Sequence, residues 1–410
     1  MRRDVGVAGG GAAGLTAAIT AARLGARVTI LERNDRPGKK ILATGNGKCN
    51  LGNQKLAVSE YYTSGDPGFV AECLERFGTK QTIRFFEELG LGVKDKNGYL
   101  YPACEQASAV LDVLRYEAAA LGVRLITECR VRRIEADRGS GKILVWGDDD
   151  RYSFDSLVLA CGGRAAPKTG SDGNGFFLAG QLGHSMVPVV PALVQLRCRE
   201  DFFKSVAGVR AEAVVRLLTQ LGEFSERGEL QLTDYGISGI PVFQLSRTVN
   251  YILQGQKEVE VSIDFLPWYT KEEFGSLCTA RRQRLGNRTA EEFFTGLVHK
   301  KLILLLLRLA GLKAGESVDE ADPEKIERFY RLCRDFRVHV TGSNSFDSAQ
   351  VCAGGIPLCE ITESMESRKA PGIYLAGEIL DVDGKCGGYN LQWAWCSGFL
   401  AGQGAAGGGS

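Results

Sequence analysis

The hydrophobic pattern of the first thirty-two residues changes period twice. Residues 4–8 read as a short buried strand, residues 15–24 repeat with helical spacing, and residues 27–32 return to a strand pattern. Between the first strand and the helix stands Gly9-x-Gly11-x-x-Gly14, so the segment predicts a complete βαβ unit of the dinucleotide-binding kind. Each part has a physical role. Gly9 permits a tight turn, Gly11 lets the backbone approach a pyrophosphate, and Gly14 lets the helix lie close to the strand. The helix N-terminus favours phosphate charge. Ala17, Ala18, Ala21 and Ala22 keep the helix thin against a sheet, Gly25 is placed to end it, and Glu32 is placed to accept ribose hydroxyls.

The pattern then departs from a simple NAD domain. Residues 33–53 form a polar, glycine-rich stretch, Pro37-Gly38-Lys39-Lys40 followed by Thr44-Gly45-Asn46-Gly47-Lys48-Cys49-Asn50, where another helix would be expected. Such a loop suits an extended cofactor, with backbone amides and Lys39, Lys40 or Lys48 serving pyrophosphate and ring; the plainer reading is a solvated surface loop. The glycine motif fits the ADP half of NAD or FAD equally. Further on, residues 154–160 read as a buried strand running into Cys161-Gly162-Gly163-Arg164, with Gly170-Ser171-Asp172-Gly173-Asn174-Gly175 beyond it. Residues 372–378 read as a strand ending in Gly377-Glu378, and Gly387-Gly388 leads into a helical stretch from 391 to about 402. The positive end of that helix suits the pyrimidine edge of a flavin, and Glu378 suits a ribityl hydroxyl. No second strand–GxGxxG–helix unit is legible, so a nicotinamide donor would visit without a dedicated domain.

The middle of the chain has a different rhythm. Short alternating stretches such as 213–218 and 259–263 predict strands from about 194 to 265, and helical periodicity dominates from 271 to 336. Arg281, Arg282, Arg284, Arg288, Lys300, Lys301, Arg308 and Lys313 face only Glu291 and Glu292 nearby in sequence, which reads first as a solvated helical face. An anionic substrate or RNA is the sharper alternative.

Composition narrows the classes. At 410 residues the chain exceeds the ~100–200 residues of one ordinary domain. Fifty Lys+Arg against 49 Asp+Glu leave a formal charge of +1, so no global field recruits nucleic acid or anionic membrane, and nucleic acid is not the expected partner. Twelve cysteines lie scattered without a CxxC pair or a Cys/His cluster; they predict buried thiols in a reducing cytoplasm, with no zinc and no disulfide framework. The start, Met1-Arg2-Arg3, is not read as a secretory signal, because Asp4 and three glycines break the apolar run. The apolar block 302–307 is far below the ~20 residues that span a bilayer, so no membrane insertion is expected. Residues 403–410, nearly all Gly, Ala, Gln and Ser, are expected to form a flexible tail.

Taken together, Gly9-Gly10-Gly11-Ala12-Ala13-Gly14, the run from Lys40 to Asn50, Leu232-Thr233-Asp234-Tyr235-Gly236-Ile237-Ser238-Gly239, Ala353-Gly354-Gly355, and Gly377-Glu378 through Gly387-Gly388-Tyr389-Asn390-Leu391-Gln392-Trp393 resemble the YhiN/BaiN-like flavoproteins over nearly the whole chain. The resemblance implies an α/β fold: a Rossmann-type FAD-binding domain interrupted by an insert made of a small β-barrel and a helical subdomain. The expected boundaries are 1–193 and 335–402 for the FAD domain, 194–268 for the barrel and 269–334 for the helices. It implies non-covalent FAD, with NAD(P)H as a transient donor. Expected cofactor contacts are Gly9, Gly11, Ala12, Ala13, Gly14, Glu32, Arg33, Lys40, Thr44, Gly45, Gly47, Lys48, Cys49 and Asn50, then Gly162, Gly377, Glu378, Gly387, Gly388, Tyr389, Asn390 and Leu391.

The catalytic acid is not legible: Tyr389, Tyr235 and Lys48 are the candidates, and each has an ordinary packing or surface reading beside it. His184, His299 and His339 lie outside the strongest motifs and are read as structural. The resemblance favours an FAD-dependent oxidoreductase that takes hydride from NAD(P)H and reduces the activated C=C bond of an unsaturated ketone, such as a steroid or 3-oxo bile acid. An amine-type (aminoacetone-like) oxidase using oxygen and a flavin-bearing RNA-interacting protein are the alternatives.

Overall fold

The N-terminal pattern folds as β1 (Asp4–Ala8), α1 (Ala12–Arg23) and β2 (Arg27–Leu31). The computed structural model describes residues 2–137, 141–148, 150–219 and 222–408; Met1 and the last two residues of the expected tail lie outside them. Around β1 a parallel sheet is completed by β3 (Arg124–Ile126), β4 (Ser156–Leu159) and β5 (Ile373–Leu375), in the order β5-β4-β1-β2-β3. Val5, Val7 and Ala8 are fully buried, as expected for a central strand covered on both faces. The strand read over 154–160 is broken at Asp155, whose carboxylate accepts the Asp4 backbone N–H (2.8 Å), so that Arg151–Phe154 pairs in a separate antiparallel sheet and β4 starts at Ser156.

Helix α2 (Tyr389–Ala405) packs along α1. It starts before and ends after the expected stretch, and it takes in residues 403–405 that composition had assigned to a tail. The cause is close packing. A side-chain carbon at Gly402 would stand 2.5 Å from the Ala17 carbonyl oxygen, and one at Gly398 would collide with that of Ala13. The glycines let two helices touch along their backbones, and the low apolar content that suggested disorder is the signature of that contact.

Two compact units result, Met1–Val190 with Gln350–Ser410, and Pro191–Ala349. The second contains a closed barrel with strand order Leu196–Cys198, Gly236–Gly239, Gly222–Leu232, Arg210–Thr219, Val259–Asp264 and Phe336–Ser343, the last pairing back to the first. Alternate residues fill it, among them Val215, Leu217, Leu230, Val261, Ile263 and Val338. The insert therefore extends to 349, beyond the expected 334, because Phe336–Ser343 is the strand that closes the barrel. Within the expected strand region, Ile240–Ile252 is a helix begun by Pro241. The helical part comprises Lys271–Leu285, Ala290–Phe294, Lys300–Ala310 and Pro323–Arg334, with capping boxes at Thr270 and Thr289 and an Asp322 cap. Its core includes Phe294 stacked on Phe329.

Candidate cofactor cavity

The turn between β1 and α1 supplies the floor of a cavity lying wholly within the first unit, with about 1230 Å³ of empty space counting the part open to solvent. Gly9 has φ +102°, a conformation that a side chain would strain, and a side chain at Gly14 would collide with the Gly9 carbonyl oxygen. Gly11 differs: nothing lies within 4 Å of where its side chain would begin, and it faces the cavity. No side chain caps α1 there, so the amide end of the helix is left for a ligand.

Glu32, at the end of β2, is buried, and it accepts N–H groups from Gly10 (2.8 Å) and Asn34 (2.8 Å) and the Asn34 side-chain amide (2.7 Å). These bonds hold both carboxylate oxygens at the cavity wall. On the opposite side, Lys40 Nζ meets Glu378 Oε2 at 2.6 Å, and Glu378 also accepts the Cys352 N–H at 2.8 Å. Lys39 pairs with Asp35 at 2.6 Å. The C-terminal segment contributes Gly377, Glu378, Val382, Asn390, Leu391, Trp393 and Ala394.

Of the residues expected at the cofactor, the cavity gathers Gly9, Gly11, Ala12, Ala13, Glu32, Arg33, Lys40, Thr44, Gly162, Gly377, Glu378, Asn390 and Leu391. Gly14, Gly45, Gly47, Lys48, Cys49, Asn50, Gly387, Gly388 and Tyr389 are not among its walls. Gly14 serves the packing of α1 on β1. Lys48 pairs with Glu105 at 2.7 Å, which raises its pKa, and Cys49 is buried, its thiol pushed up to about 12 by burial. The Tyr389 hydroxyl donates to the Lys55 carbonyl at 3.3 Å. Tyr235 lies in the other unit, where its hydroxyl accepts from Asn344 at 2.9 Å and Arg197 sits over its ring. None of the three candidate proton donors lines the cavity.

Asn34, Cys129, Arg130, Val131, Thr169, Gln350, Val351 and Trp393 also line it though none was expected as a cofactor contact, and of these only Trp393 belongs to a quoted motif. Segment 129–131 carries no motif; the pairing of β3 beside β2 brings it there. The histidines have local partners: His184 joins Glu360 (2.7 Å) and Ser367 (2.8 Å), His299 caps the helix Lys300–Ala310, and His339 joins Glu200 (2.8 Å).

The cavity has polar groups left to be answered. Among buried side-chain atoms with no hydrogen-bond partner, Arg130 Nε, Ser171 Oγ and Trp393 Nε1 all belong to its walls. Three unanswered donors around one cavity call for a ligand rich in acceptors. Among the described residues, no group of three or more His, Cys, Asp and Glu could hold a metal ion, and no helix is long and apolar enough to cross a membrane.

A family model described as the HI0933-like protein Rossmann domain matches residues 3–404. The chain is 44% identical over 407 residues, 98% of each protein, to a 3-dehydro-bile acid delta(4,6)-reductase of Clostridium scindens. It is 29% identical over 400 residues, 96% of each, to a ribosomal RNA dihydrouridine synthase of Haemophilus influenzae. Among solved structures, a 3-ketosteroid delta1-dehydrogenase of Sterolibacterium denitrificans aligns over 100% of both chains with a TM-score of 0.52 at 14% identity, a likeness of fold.

Proposed function

This chain belongs to the family of HI0933-like Rossmann-domain proteins, and on that footing we propose that it is an FAD-dependent oxidoreductase that saturates a C=C bond conjugated to the ketone of a steroid-like or bile-acid-like substrate. The observation that carries the reading is the 44% identity, sustained over 98% of both chains, to a reductase of 3-dehydro-bile acids. Such a reduction adds hydride to the carbon β to the carbonyl and a proton to the α carbon; bound flavin, once reduced by a two-electron donor, would supply the hydride and return to FAD.

The residues that would hold this cofactor follow the line of the cavity. The Gly9 to Ala13 turn and the N-terminus of α1 take the pyrophosphate. Glu32, already oriented by Gly10 and Asn34, takes a ribose hydroxyl on the one lone-pair site its three hydrogen bonds leave open, on Oε2. Glu378, fixed by Lys40 and the Cys352 amide, faces the ribityl chain. The first turn of α2, with Asn390 and Leu391 at the cavity, brings positive helix potential to the pyrimidine edge, where negative charge is most in need of support. Lys48, Tyr235 and Tyr389 are not among these walls, so none of the three is assigned the proton at the α carbon.

NAD(P)H is the proposed source of electrons. The test is to mix purified, FAD-loaded protein anaerobically with NADH or NADPH and follow the flavin band near ~450 nm, which a nicotinamide donor must bleach. Bleaching that a Δ4-3-oxo bile acid then reverses is the expected result. No bleaching with either nucleotide, but bleaching with a small amine, would replace this reading with an amine oxidase.

The rRNA dihydrouridine synthase relative supports a second reading, since uridine, like an enone, presents a C=C bond next to a carbonyl. The chemistry is shared and the substrate differs. The basic helical face gives limited support, because several of its cations have partners within the same unit: Arg281 at the Phe293 and Thr295 carbonyls, Lys300 at Glu291 (3.1 Å) and Lys301 at the Ala207 carbonyl (3.1 Å). Salt-sensitive binding of ribosomal RNA would favour it. Twelve free cysteines support a reducing, cytoplasmic setting.

A further inference from the structure

Glu32 marks one end of the cavity, because an acid closing the second strand of a Rossmann unit takes ribose hydroxyls. Three chain segments converge beside it. The Cys129 N–H donates to the Glu32 carbonyl at 2.9 Å, the Asn34 side-chain amide donates to the Thr169 carbonyl at 3.1 Å, and that of Asn174 donates to the Val131 carbonyl at 2.9 Å. On this frame Asp172 Oδ2 lies 3.0 Å from Arg130 Nη1 and also pairs with Arg33, while Arg130 Nη2 reaches Asn174 Oδ1 at 3.4 Å. Both ends of the Arg130 fork are thereby held. Arg130 lines the cavity, and its buried Nε–H has no partner. Neither has the hydroxyl of Ser171, a residue only 5% exposed and also in the cavity wall.

A buried donor with no acceptor is costly, so two of them at one end of a cavity point to a ligand that answers both. We propose that Arg130 Nε and Ser171 Oγ bind the adenosine end of the cofactor, and that Asp172 is the residue that positions Arg130. The proposal rests on the FAD reading and goes beyond it by assigning the side chains of Arg130, Ser171 and Asp172, none of which was among the expected cofactor contacts. The charges at this end, Glu32 and Asp172 against Arg33 and Arg130, cancel. That balance suits an uncharged nucleoside and gives no surplus cation to a 2′-phosphate.

FMN, which lacks the adenosine, separates a binding role from a structural one. Apo-protein is titrated with FAD and with FMN, following flavin fluorescence. Ser171→Ala and Arg130→Met should each weaken FAD about tenfold and leave FMN within about twofold of the parent, the loss expected for one hydrogen bond to a ligand. Asp172→Asn should do the same, with partial recovery in Asp172→Glu. Equal weakening of both flavins, or unchanged FAD affinity, overturns the proposal. Calorimetry with ADP puts the same question without a flavin. A parent that binds ADP but neither flavin would sink the FAD reading alone, whereas ADP affinity unaltered by Arg130→Met and Ser171→Ala would sink this one.

Discussion

Lys40 Nζ and Glu378 Oε2, 338 positions apart in sequence, stand 2.6 Å from one another in the wall of the cavity. The pair ties the short helix Lys39–Ala43, which forms where the sequence suggested a loop after β2, to the segment after β5. Removing one partner leaves the other charge partly buried. Lys40→Met should therefore cost about 1–3 kcal/mol of stability and lower FAD affinity, with Lys40→Arg retaining most of both. Thermal unfolding with and without FAD reads the two effects separately.

Gly11 and Gly14 belong to one motif and should fail differently. A side chain at Gly11 meets open cavity, so Gly11→Val should fold with near-parental circular dichroism and lose FAD. One at Gly14 meets the Gly9 backbone, so Gly14→Ala should be destabilised by about 1–3 kcal/mol through overpacking, whether or not cofactor is present. Full FAD retention in Gly11→Val would refute the placement of the pyrophosphate.

Acid should weaken the contact between His184 and Glu360. Burial pushes the Glu360 carboxyl up, but hydrogen bonds from Lys369, Ser185 and His184 outweigh it and hold the carboxyl at about 2. The folded value lies below the unfolded one of about 4.3, so the stabilisation is complete above the unfolded value and is lost as pH falls through the folded one. Glu360→Gln should show a large deficit in urea midpoint near pH ~6 that narrows below pH ~4. A deficit independent of pH would show that the charge of Glu360 is irrelevant.

Thiol labelling should divide the cysteines by burial. Cys104 and Cys359 are exposed and should react in the native protein, whereas burial pushes Cys49 and Cys161 up to about 12 and leaves little thiolate to react near pH ~8. Mass spectrometry after brief alkylation reads each site. Rapid native labelling of Cys49 would reopen a redox role for it.

What was legible in the sequence was mostly local. The strand, glycines, helix and Glu32 follow one another within thirty residues, so the βαβ unit and half of the cavity could be read directly from spacing. Arg130 reaches the same cavity through strand pairing with no motif beside it, whereas Ser171 and Trp393 sit in runs that stood out in the sequence without any sign that their side chains meet there. Two readings went astray because composition has more than one physical cause. The Gly and Ala of 402–405 signified a backbone-to-backbone helix contact instead of disorder. The insert was expected to end at 334, where helical periodicity stops, but Phe336–Ser343 is the strand that closes the barrel, a long-range pairing that periodicity does not show.

The division of the cofactor unit into two pieces also sets an order of events during synthesis. A chain emerging from the ribosome presents β1, α1 and β2 first, long before β5 or α2 exists. The unit 191–349 is contiguous, and its barrel has every strand once Phe336–Ser343 has emerged. The later unit in sequence can thus fold before the earlier one is complete. Lys40 waits for Glu378 through more than three hundred rounds of peptide-bond formation. Cofactor loading is accordingly a late step, and a chain truncated before α2 would carry a finished insert on a nucleotide site that still lacks its far wall.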